Sequence, residues 1–382
     1  MITSPERGAF PALQAGDGLV YLDSAATSLK PACVAEAVAT AYREGTGGVH
    51  RGVFGLAARA TAQFEATRAK IASFIGSSPD QIVIGRGTTE ALNVVARGLC
   101  ETRLGPGDEV LASELCHHAS LVAFQLAAER ASAKVVVAPV DARGELTNDA
   151  LAAHFSKRTR VVALPHVSNV TGAVLDVSAV AQMAQSWGAL FILDGAQAFP
   201  HLTIDVSSLG CDAYAFGAHK AYGPNGVGVL WGHRDLLEEL PPLLGGGHMV
   251  TSVTVDGPVM APLPARHEAG SPNVEGVLGF GAALAFLEGA RTRGAHEREA
   301  ALVTELVERL ERLPFVEVLG PPSPRTRRVA LVSFVVRGAH AHDVASFLDA
   351  EGVAVRGGRM CAHPLFFRLG VNDALQIGRA HV

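Results

Sequence analysis

The sequence lacks the features that mark several classes of protein. It has only five cysteines and no Cys-x-x-Cys pair, so neither a disulfide framework nor a metal site is expected. No apolar run is long enough to cross a bilayer, and Met1–Arg7 has neither the basic start nor the apolar segment of a signal peptide. No run of lysine and arginine stands out and the net charge is −5, which disfavours nucleic acid and membrane partners. A cytoplasmic location is therefore predicted.

What the sequence does have is an alternation of apolar strand patterns with helical patterns. With 48% hydrophobic and 18% charged residues in 382, the chain can bury a large core and form more than one domain. Strand patterns lie at Gln81–Ile84, Glu109–Leu111, Lys134–Val140, Arg160–Leu164 and Leu190–Leu193. Helical patterns between several of them predict an α/β fold with a parallel sheet covered on both faces. Ligands of such sheets bind outside the carboxyl ends of the strands.

Two charged residues stand at predicted strand ends. Lys220 follows the apolar run Ala213–Phe216 in a Gly-Ala-His-Lys turn, and Asp194 follows Phe191–Leu193. A lysine at the end of a buried strand is easily desolvated, so its amine can lose its proton and form a Schiff base. Either residue alone is usually structural. An aspartate for a pyridinium nitrogen together with a Schiff-base lysine predicts pyridoxal 5'-phosphate (PLP).

A glycine- and threonine-rich turn is the candidate phosphate site. Gly85–Glu90 follows a predicted strand and opens a helical stretch. Backbone N–H groups at a helix start, joined by the hydroxyls of Thr88 and Thr89, can hold a phosphate. By itself this turn is equally well explained as a helix cap. With Lys220 and Asp194 present, the phosphate of the same cofactor is the better interpretation.

The motifs Asp-Gly-Ala-Gln-Ala at Asp194 and His-Lys-x-Tyr-Gly-Pro at Lys220 resemble those of the class V aminotransferase-fold enzymes. Within them the chain resembles the Suf-type cysteine desulfurases, close to the selenocysteine lyases. The likeness extends from Tyr21–Thr27 to Cys361–Leu365. It implies the PLP-dependent transferase fold type I. A large PLP-binding domain with a mainly parallel sheet would span 17–273, and a smaller α+β domain would combine 1–16 with 274–375.

The resemblance assigns roles around the cofactor. It implies that His117 stacks on the pyridine ring, that Gln197 binds the phenolic oxygen, and that Asn169 contacts this region and the substrate carboxylate. It adds His219 as a phosphate ligand and Ser271 as one that reaches in from a partner subunit of a homodimer. Two positions depart from the family pattern: Gly217 stands where a serine is usual, and Cys116 where a glutamate is usual.

Cys361 is the candidate nucleophile. It lies in the glycine-rich, proline-terminated loop Val355–Pro364, where Arg356 and Arg359 would favour the reactive thiolate. From this pattern alone a structural cysteine is equally open. The resemblance implies that Cys361 takes sulfur from L-cysteine, giving alanine and an enzyme persulfide. A sulfur-acceptor protein would then take the sulfur from this persulfide. The resemblance also implies substrate contacts from Arg356.

Other functions stay open at this point. An aminotransferase or a kynureninase-like hydrolase would use the same fold, but neither needs the thiol of Cys361. A selenocysteine lyase would keep the same site and act on L-selenocysteine. A different class of alternative is an inactive scaffold that only binds sulfur-assembly partners.

The end of the chain motivates that last alternative. Gln376–Val382 matches the translation of a common sequencing adapter, so we expect these residues to be an artefact, with an unusual native ending as the alternative. The family resemblance implies a substrate-binding arginine just beyond residue 375, where this chain has Gln376. Weak activity is the expected consequence.

Overall fold

The computed structural model describes residues 6–14, 18–321 and 328–379. Its helices are α1 (Pro11–Gln14), α2 (Ala32–Glu44), α3 (Gly55–Phe74), α4 (Thr88–Thr102), α5 (His118–Arg130), α6 (Asn148–Ala152), α7 (Val177–Trp187), α8 (Ala198–His201), α9 (Val206–Leu209), α10 (Arg234–Glu239), α11 (Val274–Thr292), α12 (Ala295–Glu311), α13 (Ala341–Ala350) and α14 (His363–Arg368). Its strands are β1 (Val20–Tyr21), β2 (Ile82–Gly85), β3 (Glu109–Ser113), β4 (Lys134–Ala138), β5 (Thr159–Pro165), β6 (Leu190–Asp194), β7 (Ala213–Gly217), β8 (Gly228–Gly232), β9 (Val250–Thr254), β10 (Gly257–Met260), β11 (Val316–Leu319), β12 (Val332–Val336), β13 (Val353–Ala354), β14 (Arg356–Gly358) and β15 (Ala374–Ile377).

A seven-stranded sheet forms the centre of the molecule, in the order β2-β8-β7-β6-β5-β3-β4. Its parallel pairs include β5 with β6 and β6 with β7, whereas β8 runs antiparallel to both β2 and β7. The predicted α/β class with a mainly parallel sheet is confirmed. The reversed strand β8 was not predicted, and it joins the strand before the phosphate turn to the strand before Lys220.

Apolar residues cover the sheet on both faces, as the continuous apolar runs predicted. In β6, Phe191 and Leu193 point into one core cluster and Ile192 into another, and all three are buried. Helices α4 and α5 supply Leu92 and Phe124 to the cluster around Ile192. Because neither face of the strand meets water, both sets of alternating residues have to be apolar. Only the strand ends are free to carry charge.

A second sheet of four antiparallel strands, in the order β11-β12-β15-β14, stands beside α13. This arrangement agrees with the smaller α+β unit expected late in the chain. Helix α11 packs instead on α2 and α3 of the N-terminal half, although the sequence analysis assigned residues 274–375 to the smaller domain. The boundary at residue 273 stays a prediction. Among the described residues, no helix is long and apolar enough to cross a membrane.

Candidate active site

A cavity of about 700 Å³ opens at the carboxyl ends of the parallel strands. Nine residues predicted from the sequence line it: Thr88, Thr89, His117, Asn169, Asp194, Gln197, His219, Lys220 and Arg356. Three more predicted residues, Gly217, Ser271 and Cys361, are not part of its lining. Strand ends and the loops after them therefore bring together side chains that are up to 268 residues apart, as the rule for parallel sheets predicts.

Lys220 and Asp194 form the charged centre of this cavity. Asp194 ends β6 and Lys220 closes the short turn after β7, so the two neighbouring strands carry them to the same edge. Burial lowers the pKa of Lys220, and the negative charge of Asp194 partly opposes that effect. Burial also raises the pKa of Asp194, whose Oδ1 accepts a hydrogen bond from the Ala196 N–H at 3.0 Å. A lysine amine held in this way is more easily neutral than one in water.

The phosphate turn is built on a row of three glycines across the sheet. Gly228 of β8 pairs with Gly85 of β2 on one side and with Gly217 of β7 on the other. Thr88 begins α4 directly above this row, and its buried Oγ1 has no hydrogen-bond partner among the described residues. A β-carbon on Gly217 would come 3.1 Å from that oxygen. Glycine at position 217, where a serine is usual in the family, thus leaves room for the hydroxyl group of Thr88.

Replacing Gly228 with alanine is expected to disrupt the phosphate turn. The added methyl group would overlap the backbone of Gly87, which cannot retreat without moving the start of α4. We expect the affinity for PLP to fall at least about tenfold, because one or more hydrogen bonds to a charged group would be lost. Fluorescence titration with PLP measures this.

Gly8→Ala is the matched control, since a methyl group there meets nothing within 4 Å and Gly8 is not part of the cavity lining. PLP binding should then stay within about threefold of the parent. Equal affinities for both variants would contradict the proposed role of the close backbone approach at Gly228.

His117 presents a neutral imidazole to the cavity. It caps the N-terminus of α5, and its Nδ1 accepts a hydrogen bond from the Ala119 N–H at 3.0 Å. Burial lowers the pKa of His117 to about 4, and the nearby charge of Lys220 acts in the same direction. The proton of the neutral ring therefore sits on Nε2. A flat, neutral ring at this place suits stacking on an aromatic cofactor.

Cys116 precedes His117 in the chain and lies in the hydrophobic core. The side chain is fully buried, its Sγ lies 3.4 Å from the carbonyl oxygen of Ala163, and burial raises its pKa to about 12. A carboxylate, as the family pattern has here, would need a partner for its charge at a site this dry. The thiol needs none, which gives a physical account of the departure.

Two buried amides, Gln197 and Asn169, are also part of the cavity lining. Gln197 donates from Nε2 to the Ala25 carbonyl at 2.9 Å, and Asn169 donates from Nδ2 to the Met360 carbonyl at 2.7 Å. Gln197 Oε1 and Asn169 Oδ1, like Thr88 Oγ1, have no partner among the described residues. Buried polar atoms that lack a hydrogen-bond partner are rare, and a bound ligand can supply the partner. These atoms, with Lys220 and the glycine row, fit a phosphorylated aromatic aldehyde such as PLP.

Cys361 lies next to the cavity on an exposed turn that begins after β14. Its negative form would raise the pKa of Lys220, so the two groups are close enough to interact electrostatically. Arg356 lines the cavity. Arg359 instead donates from Nε to the Asn372 carbonyl at 2.7 Å and lies over the Phe367 ring. Of the two arginines expected beside the thiol, Arg359 is thus engaged in holding the loop.

Ser271 lies in a neighbouring cleft rather than in the cavity of Lys220. That cleft shares Arg86, Glu90 and Leu243 with the cavity, so the two are continuous around the phosphate turn. The expected role of Ser271, as a ligand for the phosphate of a partner subunit, stays a prediction.

The residues near the chain end contact Asn169, which lines the cavity. Gln376 is buried in β15 and donates from Nε2 to the Asn169 carbonyl at 2.7 Å and to Ser333 Oγ at 3.2 Å. Arg379 is buried as well, paired with Glu299. Residues 374–377 thus form a strand, with an amide at position 376 where an arginine was expected. Residues 380–382 lie outside the described residues, and the adapter origin of 376–382 stays a prediction.

One residue of this region was missed by the sequence analysis. His118, directly after His117, donates its backbone N–H to the Cys361 carbonyl at 2.9 Å and accepts at Nε2 from the His363 N–H at 3.2 Å. The pair of adjacent histidines at a helix start was the available signal. It could not be used because the partner loop lies more than 240 residues later.

The comparisons with known proteins agree with this geometry. Residues 20–381 match the Aminotransferase class-V family. A protein of Vibrio cholerae named "Probable cysteine desulfurase" is 41% identical over 375 residues, which cover 97% of this chain and 92% of that protein. The cysteine desulfurase of Dickeya dadantii is 42% identical over 370 residues, covering 96% and 89%.

Solved structures give the same result. The crystal structure of the Escherichia coli cysteine desulfurase CsdA is 40% identical, with a TM-score of 0.91 and coverage of 100% of this chain and 94% of that one. A structure of C-DES with glycine covalently linked to its PLP cofactor is 25% identical, with a TM-score of 0.83 and coverage of 99% and 95%. The chain belongs to the aminotransferase class-V family, on its cysteine desulfurase branch.

Proposed function

We propose that this protein binds PLP on Lys220, removes sulfur from L-cysteine and receives it on Cys361. The observation that carries the proposal is the cavity at Lys220: burial lowers the pKa of this lysine, and three other lining residues each have a buried oxygen atom without a partner among the described residues. When bound, PLP supplies an electron sink that labilises the bonds at the substrate α-carbon. His117, Asp194 and Gln197 would hold its ring, while Thr88, Thr89, His219 and the Gly217 backbone would hold its phosphate.

The residues of the chain account for the proton movements. The amine of Lys220 is the base that would take the substrate α-proton, because its lowered pKa favours the neutral form. Asp194 would keep the proton on the ring nitrogen of bound PLP. The neutral ring of His117 lines the cavity and could pass a proton from Nε2. Asn169 and Arg356 are the candidate groups for the substrate carboxylate.

Cys361 completes the reaction without an external oxidant. Its thiolate attacks the substrate sulfur, so one S–S bond forms as the C–S bond breaks, and the electron pair of that C–S bond stays with the carbon skeleton. Protonation of the skeleton then gives alanine, and the transferred sulfur remains as a persulfide on Cys361. The exposed position of Cys361 supports the further step in which an acceptor protein takes this sulfur.

A homodimer is part of the proposal. Exposed apolar side chains occur on the hairpin of β9 and β10 and in the segment before α3: Val253, Val255, Val259, Val53 and Phe54. A partner subunit that covers these side chains would remove them from water. A second copy covering them would also place Ser271 close to a partner's phosphate turn, as the resemblance implies.

The experiment that tests the function compares the parent with Cys361→Ser after reconstitution with PLP. With L-cysteine and a thiol reductant, the parent should release alanine and sulfide in equal amounts. The serine variant should keep the cofactor absorbance and lose at least about 100-fold in sulfide release, because oxygen cannot accept the sulfur. Mass spectrometry of the parent should show one added sulfur on Cys361.

The selenocysteine lyase alternative gives a different pattern. Cys361→Ser should retain cleavage of L-selenocysteine, since selenium leaves more readily than sulfur, and comparison of both substrates on the parent identifies the preferred one. Desulfuration of L-cysteine at the parent rate by the serine variant would remove Cys361 from the reaction. A parent that binds no PLP would instead support the inactive scaffold.

A further inference from the structure

The turn that carries Cys361 has an uncommon backbone. Met360 and Cys361 have φ angles of 46° and 53°, so two consecutive residues with side chains occupy the left-handed region. This region is unfavourable for residues with a β-carbon, and such runs persist only when surrounding contacts hold them. The contacts around the turn therefore decide where the thiol points.

Two residues outside the turn hold its backbone. Asn169 donates to the Met360 carbonyl at 2.7 Å, which fixes the residue before the nucleophile. His118 acts on both sides of the nucleophile itself: its backbone N–H binds the Cys361 carbonyl at 2.9 Å, and its Nε2 accepts from the His363 N–H at 3.2 Å. Of these groups only the imidazole of His118 is a side chain with no other assigned role.

The contact requires one protonation state of His118. Since Nε2 accepts from a backbone N–H, it carries no proton, and the neutral ring has its proton on Nδ1. The rings of His118 and His363 meet edge to face at 4.5 Å. Burial lowers the pKa of His118, and the charge of a protonated His363 would lower it further. The surroundings thus favour the form that can accept.

His118 also connects the turn to the cofactor cavity. It is the first residue of α5, immediately after His117, whose ring lines the cavity. The N-terminus of α5 therefore positions both the His117 ring, which lines the cavity, and the turn that carries Cys361. We propose that His118 is a positioning residue for sulfur transfer, which fixes Cys361 for attack on the substrate sulfur. This inference rests on the proposed function.

The test compares His118→Phe with His118→Gln. Phenylalanine keeps the flat ring but cannot accept a hydrogen bond, whereas the glutamine side chain places an acceptor oxygen at about the reach of Nε2. In single-turnover experiments with L-cysteine, we expect His118→Phe to slow persulfide formation on Cys361 about tenfold. KM in steady-state assays should be unchanged. His118→Gln should form the persulfide within about threefold of the parent rate.

Two further readouts separate positioning from general damage. Both variants should keep the absorbance of lysine-bound PLP, and both should cleave L-selenocysteine at the parent rate, because that cleavage does not need the thiol. If His118→Phe fails to fold, His118→Leu takes its place in the same comparison.

Three outcomes would overturn the role of His118. These are persulfide formation at the parent rate in His118→Phe, no rescue by glutamine, or an equal loss of selenocysteine cleavage. If the parent itself forms no persulfide, the proposed function fails, and that result is distinct from all three.

Discussion

Lys220→Ala is expected to abolish both the covalent attachment of PLP and turnover of L-cysteine. The amine of Lys220 is the only candidate among the described residues that both lines the cavity and can form a Schiff base, so the visible absorbance fixed by borohydride in the parent should disappear. Loss of the attachment point and of the base should lower kcat at least about 1000-fold.

Lys70→Ala provides the control for this change. Lys70 is also partly buried, but its Nζ donates to the Gly281 carbonyl at 2.9 Å, away from the cavity. That variant should keep the absorbance and the parent rate. A Lys220→Ala protein that still shows a borohydride-fixed chromophore would place the attachment on a different amine.

Gln376→Arg is expected to raise kcat/KM for L-cysteine by about 30- to 1000-fold. A bidentate arginine–carboxylate contact contributes about 2–4 kcal/mol, and Gln376 stands where the resemblance implies such an arginine. Its amide already reaches the carbonyl of Asn169, one of the candidate substrate ligands. The site that the arginine would serve is therefore adjacent to residue 376.

Gln376→Lys separates charge from geometry. Lysine supplies a positive charge without the planar pair of donors, so its gain should be smaller than that of arginine. The absorbance of bound PLP and the far-ultraviolet circular dichroism verify that each variant is folded. A Gln376→Arg protein with unchanged kcat/KM would show that residue 376 does not bind the substrate carboxylate, and it would remove the functional support for treating 376–382 as an artefact.

The strand ends were predictable from the sequence because they depend on local pattern. The apolar run before Lys220 was expected over Ala213–Phe216 and extends to Gly217, and Asp194 is the last residue of its strand rather than the first beyond it. Continuous apolar strands leave mainly their ends for charged side chains, so one lysine and one aspartate were enough to locate the cavity. The errors of one residue did not alter which side chains face it.

Contacts between distant parts of the chain were not predictable in this way. The bond from Asn169 to the Met360 carbonyl joins residues 191 apart, and no periodicity connects them. The left-handed backbone at Cys361 was hidden for a different reason, since glycine usually marks such positions and here Met360 and Cys361 occupy them. The engagement of Arg359 with Phe367 and Asn372 likewise depends on the folded loop.

The reversed strand β8 has a consequence for the order of folding. It pairs residues 82–85 with residues 228–231, and most strands of the central sheet lie in the chain between them. β8 joins the phosphate turn to the strand before Lys220 through contacts between distant segments, so a partly folded chain that lacks the pair of β2 and β8 has no complete place for PLP. Binding to the native state alone shifts the folding equilibrium by mass action, about 2.7 kcal/mol at a free ligand concentration of 100 Kd. The supply of PLP in the cell would then govern how much of this protein survives proteolysis, in addition to how much of it is active.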